Sequence, residues 1–256
     1  MEDEPRSAVQ KAGTPPEHAF KYTQFQADPG STHSKVVSLV PPATRVLEFG
    51  CATGYMSEVL KNRLGCTVTG VEIDPDILDV ARRYFHLDEP NVHPVVGDAR
   101  YWLNTQARQY DVVVMDAYRQ PYIPFHLTTR EFFSEVRDHL RPGGVAVVNA
   151  GRTATDYRLV DAIASTMAAV YPSVFLVDVP AFNNTLVYGT TNLVTLDDVR
   201  HNLGLVSEPF AGSVAQSVLN EGDLRVSPYH DQVFTDDLAP VERLIDEIIF
   251  GYVTGR

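Results

Sequence analysis

The sequence lacks the features that mark several common protein classes. Its 256 residues include two cysteines, Cys51 and Cys66. They make neither a disulfide framework nor a zinc-ligand set, so no metal is expected. No apolar run nears the roughly 20 residues of a membrane span, and no membrane association is expected. The first residues hold no basic stretch followed by an apolar one, the mark of a secretory signal, so a cytoplasmic location is expected. Basic residues are outnumbered, 21 against 33 acidic, for a net charge of -12. Such a chain repels phosphate backbones, which argues against nucleic acid as a partner. The acidity would draw a cationic small molecule, or it serves solubility alone. No lysine follows a glycine loop in P-loop fashion, which argues against nucleoside triphosphate hydrolysis.

What is present is organised around Val46–Tyr55. An apolar run ends in Glu48, a turn carries Gly50 and Gly54, and an amphipathic stretch runs on to Leu64. This reads as strand, tight loop and helix, with glycines that let a ligand approach the backbone and unpaired N–H groups at the helix start. The pattern then repeats. Strands are predicted at Arg45–Phe49, Thr67–Glu72, Val92–Val96, Asp111–Met115 and Val145–Asn149. Helices are predicted from Tyr55, from Asp74-Pro75, from Asp98 to about Ala107, over Arg130–Leu140 and over about Thr155–Val170. Arg141–Gly144 reads as a turn. Val174–Val179 and Thr185–Gly189 form a hairpin. Its exposed edge could pair with a second copy, so a homodimer is conceivable. The result is an α/β chain with a doubly wound, mostly parallel, seven-stranded sheet and a C-terminal antiparallel hairpin. Before the first strand, residues 1–19 read as a flexible tail. Aromatic residues Phe20, Tyr22 and Phe25 and a short helix over Ser31–Leu39 follow. Ser207–Asp231 gives no clear pattern, and a last helix is predicted from Leu238.

The strand ends share one edge of such a sheet. There they present Glu48, Glu72, Asp98 and Asp116. Glu72 can accept hydrogen bonds from two ribose hydroxyls, and Asp98 can accept one from the amine of an adenine. The alternative is that these acids only cap the helices that follow. The spacing Gly50-Cys51-Ala52-Thr53-Gly54 lacks the middle glycine of a dinucleotide fingerprint, which favours a nucleoside sulfonium over NAD. Cys51 reads as a small buried residue in that loop.

The segments Glu48–Gly54, Val71–Asp74 and Gly97–Ala99 resemble the cofactor motifs of class I S-adenosylmethionine-dependent methyltransferases. Val71–Pro75, Ala81–Phe85, Tyr110–Asp116, Ile123–Phe133, Phe182–Val187 and Phe234–Glu242 resemble the spermidine synthase-like family more specifically. The resemblance implies the Rossmann-like methyltransferase fold, with a cofactor domain at residues 44–195, a lid segment at 20–43 and a helical extension at 196–256. It implies cofactor contacts from Glu48, Gly50, Ala52, Gly54, Glu72, Ile73, Asp98, Ala99 and Asp116, and it places the family's catalytic acid at Asp116. A loop cap or a cofactor contact is the alternative role there.

The chain also departs from the polyamine synthases. Residues 1–44 do not match their N-terminal β-domain. Their loop reads Gly-Gly-Gly-Asp-Gly, where Cys51-Ala52-Thr53 carries no acid. Their second acid after strand four is Arg119 here, which opposes a cationic amine. Tyr118, Arg119, Tyr122 and His126 are candidates for an acceptor pocket; a packed, hydrogen-bonded His126 is the plainer reading. Arg119 and Arg152 could bind a carboxylate or phosphate on the acceptor, or be surface charges. Asp236 and Asp237 could reach the site, but capping of the last helix is the plainer reading. The leading expectation is methyl transfer from S-adenosylmethionine to a small-molecule acceptor. The alternatives are aminopropyl transfer from decarboxylated S-adenosylmethionine and a non-catalytic nucleoside-binding module.

Overall fold

The computed structural model describes residues 25, 27–85, 87, 90–119, 121–226 and 232–255. The expected tail at 1–19, and Phe20 and Tyr22 of the expected lid, lie outside them. Among the described residues no helix is long and apolar enough to cross a membrane.

Eight strands form one sheet: β1 Arg45–Phe49, β2 Thr67–Glu72, β3 Val92–Val96, β4 Tyr110–Met115, β5 Leu140–Gly151, β6 Ser173–Val179, β7 Asn184–Thr190 and β8 Leu224–Val226. Their order is β3-β2-β1-β4-β5-β7-β6-β8. The first five are parallel to one another, and β7 runs antiparallel between β5 and β6. Valines at 112, 113 and 114 are all buried, as expected of a central strand covered on both faces.

The helices are α1 Thr32–Leu39, α2 Tyr55–Leu64, α3 Pro75–Tyr84, α4 Ala99–Asn104, α5 Arg130–Asp138, α6 Arg158–Ala168, α7 Leu196–Gly204, α8 Pro209–Glu221 and α9 Val241–Thr254. Alternate strand residues divide the core. Leu47, Val113, Val148 and Leu176 pack with α5, α6 and α9 on one face. Val46, Val112, Val147 and Val177 pack with α1, α2 and α8 on the other. The even side-chain period of a strand makes this division automatic.

Several expectations change. The sheet has eight strands, not seven, because the stretch without clear pattern contains α8 and β8. Strand β8 pairs with Phe175–Val177 of β6, so the hairpin edge proposed for a second copy is already occupied, and the ground given for a homodimer is lost. The helix expected to reach Ala107 ends at Asn104. The turn at Arg141–Gly144 is the irregular first part of β5, where the register with β4 shifts. The last helix starts at Val241, after Pro240, rather than at Leu238.

Asp236 therefore does not cap that helix. Its two carboxylate oxygens accept from Arg100 at 2.7 and 2.8 Å, and one also accepts from Thr129 Oγ1 at 2.6 Å. The Arg100 charge holds the Asp236 carboxyl below its ordinary value. Arg100 also reaches Glu135 of α5. Phe234, fully buried, lies between α5 and α6: its N–H donates to Thr166 Oγ1 and its carbonyl accepts from Arg130 N. The segment Phe234–Asp236 is thus a clasp that fastens the C-terminal chain to the sheet's helical layer.

Candidate functional site

Strand order reverses between β1 and β4, and a crevice opens outside their carboxyl ends. Gly50 stands at that point with φ +80. A Cβ there would lie 2.6 Å from the Asp116 carbonyl oxygen and 2.8 Å from Ala117 Cα. The loop after β1 therefore rests directly on the chain leaving β4, and only glycine permits the approach. Cys51 tucks its side chain over Gly70 of β2. It is buried, and burial pushes its thiol well above the usual range, which fits a packing residue and not a nucleophile. Ala52 follows with φ 46, an unusual conformation for a residue with a Cβ. Its N–H donates to Glu72 Oε2 at 3.2 Å, while Asp74 N donates to Glu72 Oε1 at 3.2 Å. The carboxylate at the end of β2 is thereby held beside the glycine loop. Gly54, also at φ +80, opens α2 with no side-chain cap, leaving N–H groups at the helix start.

Glu48 points to the α1 face and is buried, 3% exposed. Ser57 Oγ donates to its Oε2 at 2.6 Å. Burial pushes its pKa up to about 8, opposed by the Ser57 bond and reinforced by Asp116 and Glu72. The shift favours the protonated form at neutral pH. Because the folded value exceeds the unfolded one, folded Glu48 keeps a proton that unfolded Glu48 releases between pH 4.5 and about 8. Its contribution to stability is full below that window and lost as pH rises through it, at about 1.4 kcal/mol per pH unit. Glu48→Gln keeps an acceptor for Ser57. It is expected to remove this slope, so that denaturant titrations at pH 5 to 9 show the variant gaining on the native protein as pH rises.

Asp116, the first residue after β4, lies at the centre of a network the sequence did not disclose. Its Oδ1 accepts from Asn149 Nδ2 of β5 at 2.9 Å. Its Oδ2 lies 3.2 Å from His33 Nε2, on α1. The same His33 nitrogen is 2.6 Å from the Tyr55 hydroxyl, and the two rings meet edge to face at 4.9 Å. Asn149 Oδ1 is buried and has no hydrogen-bond partner among the described residues. Rotating that amide would set its oxygen against the Asp116 carboxylate, so the orientation is fixed by charge. The Asp116 carboxylate, 18% exposed beside that buried acceptor and the histidine, suits a ligand that donates an N–H or O–H.

The other sequence candidates divide. Asp98 caps α4 by accepting from Tyr101 N at 2.8 Å, and its other oxygen is 3.0 Å from His126 Nε2. His126 is thus hydrogen-bonded on the Asp98 side of the site. Large apolar side chains are exposed next to these groups: Ile73, Val96, Tyr101 and Phe125. They would flank a flat aromatic ligand lying between Glu72 and Asp98. Ala99 is buried as the first residue of α4. Tyr118 is committed to the backbone: its hydroxyl donates to the Asn149 carbonyl at 2.6 Å and accepts from Gly151 N at 3.1 Å. Tyr122 donates to Asp246 of α9 at 2.7 Å. Arg119 is exposed and pairs its backbone with Tyr122. The crevice therefore joins Glu48, Gly50, Ala52, Gly54, Glu72 and Asp116, with Asp98 and His126 at its outer end. Tyr122 turns toward the C-terminal helix, and Arg119 is exposed.

A parallel β3-β2-β1-β4-β5 half-sheet, an antiparallel β7 inserted before β6, and an acid-flanked glycine loop at the reversal define a class I methyltransferase-like domain. Residues 46–144 match the family described as a methyltransferase domain. The chain is similar to class I S-adenosylmethionine-dependent methyltransferases over those residues, and to polyamine aminopropyltransferases over more of its length. It is 33% identical over 243 residues to a probable polyamine aminopropyl transferase of Bifidobacterium longum. That match covers 83% of this chain but 52% of the relative, so the chain spans about half the length of that protein. The fold is shared with a probable spermidine synthase of Corynebacterium glutamicum, at TM-score 0.60 and 20% identity over 83% of this chain and 82% of the other. It is also shared with human methyltransferase-like protein 13, whose structure holds SAH, at TM-score 0.57 and 17% identity over 75% and 88%.

Proposed function

We propose that the crevice binds an adenosyl sulfonium and transfers one of its carbon substituents to a small-molecule acceptor. The observation that carries this reading is the meeting, at the strand-order reversal, of the Gly50–Gly54 loop, the Glu72 carboxylate and the Asp116–His33 pair. The first fits the part of the cofactor that must approach backbone, the second its ribose hydroxyls, and the third the reacting end. Ile73 and Val96 would bracket the adenine, with Asp98 as an acceptor for its amine. Because His126 already engages Asp98, that contact would be shared or exchanged.

The transferred group is a methyl in the reading we favour. The intact methionine end of the cofactor carries a carboxylate, which an acid in the glycine loop would repel. Thr53 stands where the polyamine enzymes place that acid, and burial favours the neutral form of Glu48. When bound, the sulfonium would supply an electrophilic methyl carbon to the acceptor's lone pair, with the carbon–sulfur electron pair leaving on sulfur as a neutral thioether. The protein's work is alignment and removal of one proton. Asp116 would orient and accept that proton, with His33 as its neighbour. A second reading, aminopropyl transfer from the decarboxylated cofactor, is favoured by the name of the Bifidobacterium longum relative.

The thioether product separates the two. The protein is incubated with each cofactor and a panel of amines and amino acids, and the thioethers are followed by mass spectrometry. S-adenosylhomocysteine from the intact cofactor is the expected product. Methylthioadenosine formed only from the decarboxylated cofactor would establish the second reading, and no acceptor-dependent thioether from either would remove both.

A further inference from the structure

Asn149 interrupts an apolar stretch of β5, with Val145, Ala146, Val147 and Val148 before it and Ala150 after it. Its side chain shares the α1 face of the sheet with Val147, Val114 and Leu186, the last directly opposite it on β7. The residue is 7% exposed. A buried amide needs partners for its N–H groups and for its oxygen. Nδ2 has one, Asp116 Oδ1 at 2.9 Å. Oδ1 is buried and has no hydrogen-bond partner among the described residues. A buried acceptor left in that state lowers stability. A valine would avoid that loss and suits a central strand. Position 149 therefore carries a residue that packing alone does not call for.

What the amide supplies is a hold on Asp116. Met115 of β4 is level with Val148 of β5, so the two polar residues leave the sheet side by side. The Asp116 carboxylate is partly open to the crevice and can turn about its side-chain bonds unless both oxygens are engaged. Asn149 engages Oδ1, and His33 lies 3.2 Å from Oδ2. The two partners are not equally fixed. The His33 nitrogen is shared with the Tyr55 hydroxyl. Asn149 lies on a strand paired along both edges. Its backbone is also held without help from its side chain: the Tyr118 hydroxyl donates to the Asn149 carbonyl at 2.6 Å and accepts from Gly151 N at 3.1 Å. The amide is thus the anchored end of the clamp.

We propose that Asn149 is a positioning residue, which fixes the plane and the free edge of the Asp116 carboxylate for the acceptor, and that the chain keeps it at the expense of stability. This rests on the transferase reading above, because the acceptor's approach is what a fixed carboxylate serves.

Asn149→Val removes the amide and leaves a residue suited to the strand. It is compared with the native protein, with Asp116→Asn and with the double variant. Its midpoint in denaturant should equal or exceed the native one. Its affinity for S-adenosylhomocysteine, by calorimetry, should be unchanged. Its kcat, followed as thioether release, should fall by roughly 10- to 100-fold, the effect of a misplaced reacting group, while acceptor KM stays within about threefold. Adding Asn149→Val to Asp116→Asn should cause no further loss, because a residue that acts through Asp116 then has nothing to act on. Asn149→Ala, which cannot overfill the site, should repeat both turnover results. Midpoints clearly below the native one in both variants would make Asn149 a structural residue and overturn the proposal. A further fall in the double variant, as large as in Asn149→Val alone, would overturn it too. Native protein that turns over while both Asn149 variants match it loses the positioning role alone. Native protein that releases no thioether with any acceptor loses the transferase reading, and the positioning role with it.

Discussion

Asp116→Asn is expected to keep the fold and cofactor affinity and to cut turnover by roughly 10²- to 10⁴-fold, the usual contribution of a positioned acid or base. The substitution is nearly isosteric. Its amide oxygen can still accept from Asn149 Nδ2, and its amide nitrogen can donate to His33 Nε2 when that nitrogen is unprotonated. What it loses is the capacity to take a proton and the negative charge that would orient a protonated amine. Stability by denaturant, affinity by calorimetry and rate by thioether release separate these effects. Full turnover in the variant would leave Asp116 as a structural contact. A parallel fall in affinity would make it a cofactor ligand.

Gly50→Ala is expected to damage the fold and the site together. The added Cβ meets backbone atoms, the Asp116 carbonyl at 2.6 Å and Ala117 Cα at 2.8 Å, so no side chain can rotate away. The residue must also hold φ +80, at a cost of about 1–2 kcal/mol, and overpacking adds about 1–3 kcal/mol. A loss of roughly 2–5 kcal/mol in unfolding free energy follows. Relief requires β1 and β4 to part at their carboxyl ends, where Asp116 N donates to the Phe49 carbonyl, so cofactor binding should fall even in protein that remains folded. Native stability and affinity in this variant would refute the close approach.

The half of the chain that carries the crevice was plain in the sequence because each of its elements is locally determined. Strands β1 to β4 are short apolar runs, each followed by a helix with its own start signal: Gly54, the Asp74-Pro75 pair, Asp98 and Thr129. Helix α8 escaped because its buried face is built from Ala211, Val214, Ala215 and Val218 amid Gly212, Ser213 and Ser217. The i, i+3, i+4, i+7 spacing was present, as were Pro209 at the start and Gly222 at the end, but the small side chains hid the contrast. Strand β8 is three residues long and exists only through its pairing with β6.

Within the site, the acids at strand ends were legible because topology alone collects them at one edge. The partners of Asp116 were not. His33 is 83 residues away on a helix that carries no motif, and Asn149 is one polar residue at the end of an apolar strand. Asp236 was misread for the same reason: its partner Arg100 is 136 residues distant, and a local helix offered a nearer explanation. Arg152 could be named from the sequence, but not its burial or its bonds to Thr185 Oγ1 and the Thr153 carbonyl.

The central claim is that the crevice at Gly50 and Asp116 accepts an adenosyl sulfonium with its methionine carboxylate intact. Calorimetric titration of the native protein with S-adenosylmethionine and with its decarboxylated form tests this most directly. Stoichiometric binding of S-adenosylmethionine, tighter than that of the decarboxylated form, is the predicted result. Binding of the decarboxylated form alone, or of neither, would contradict it.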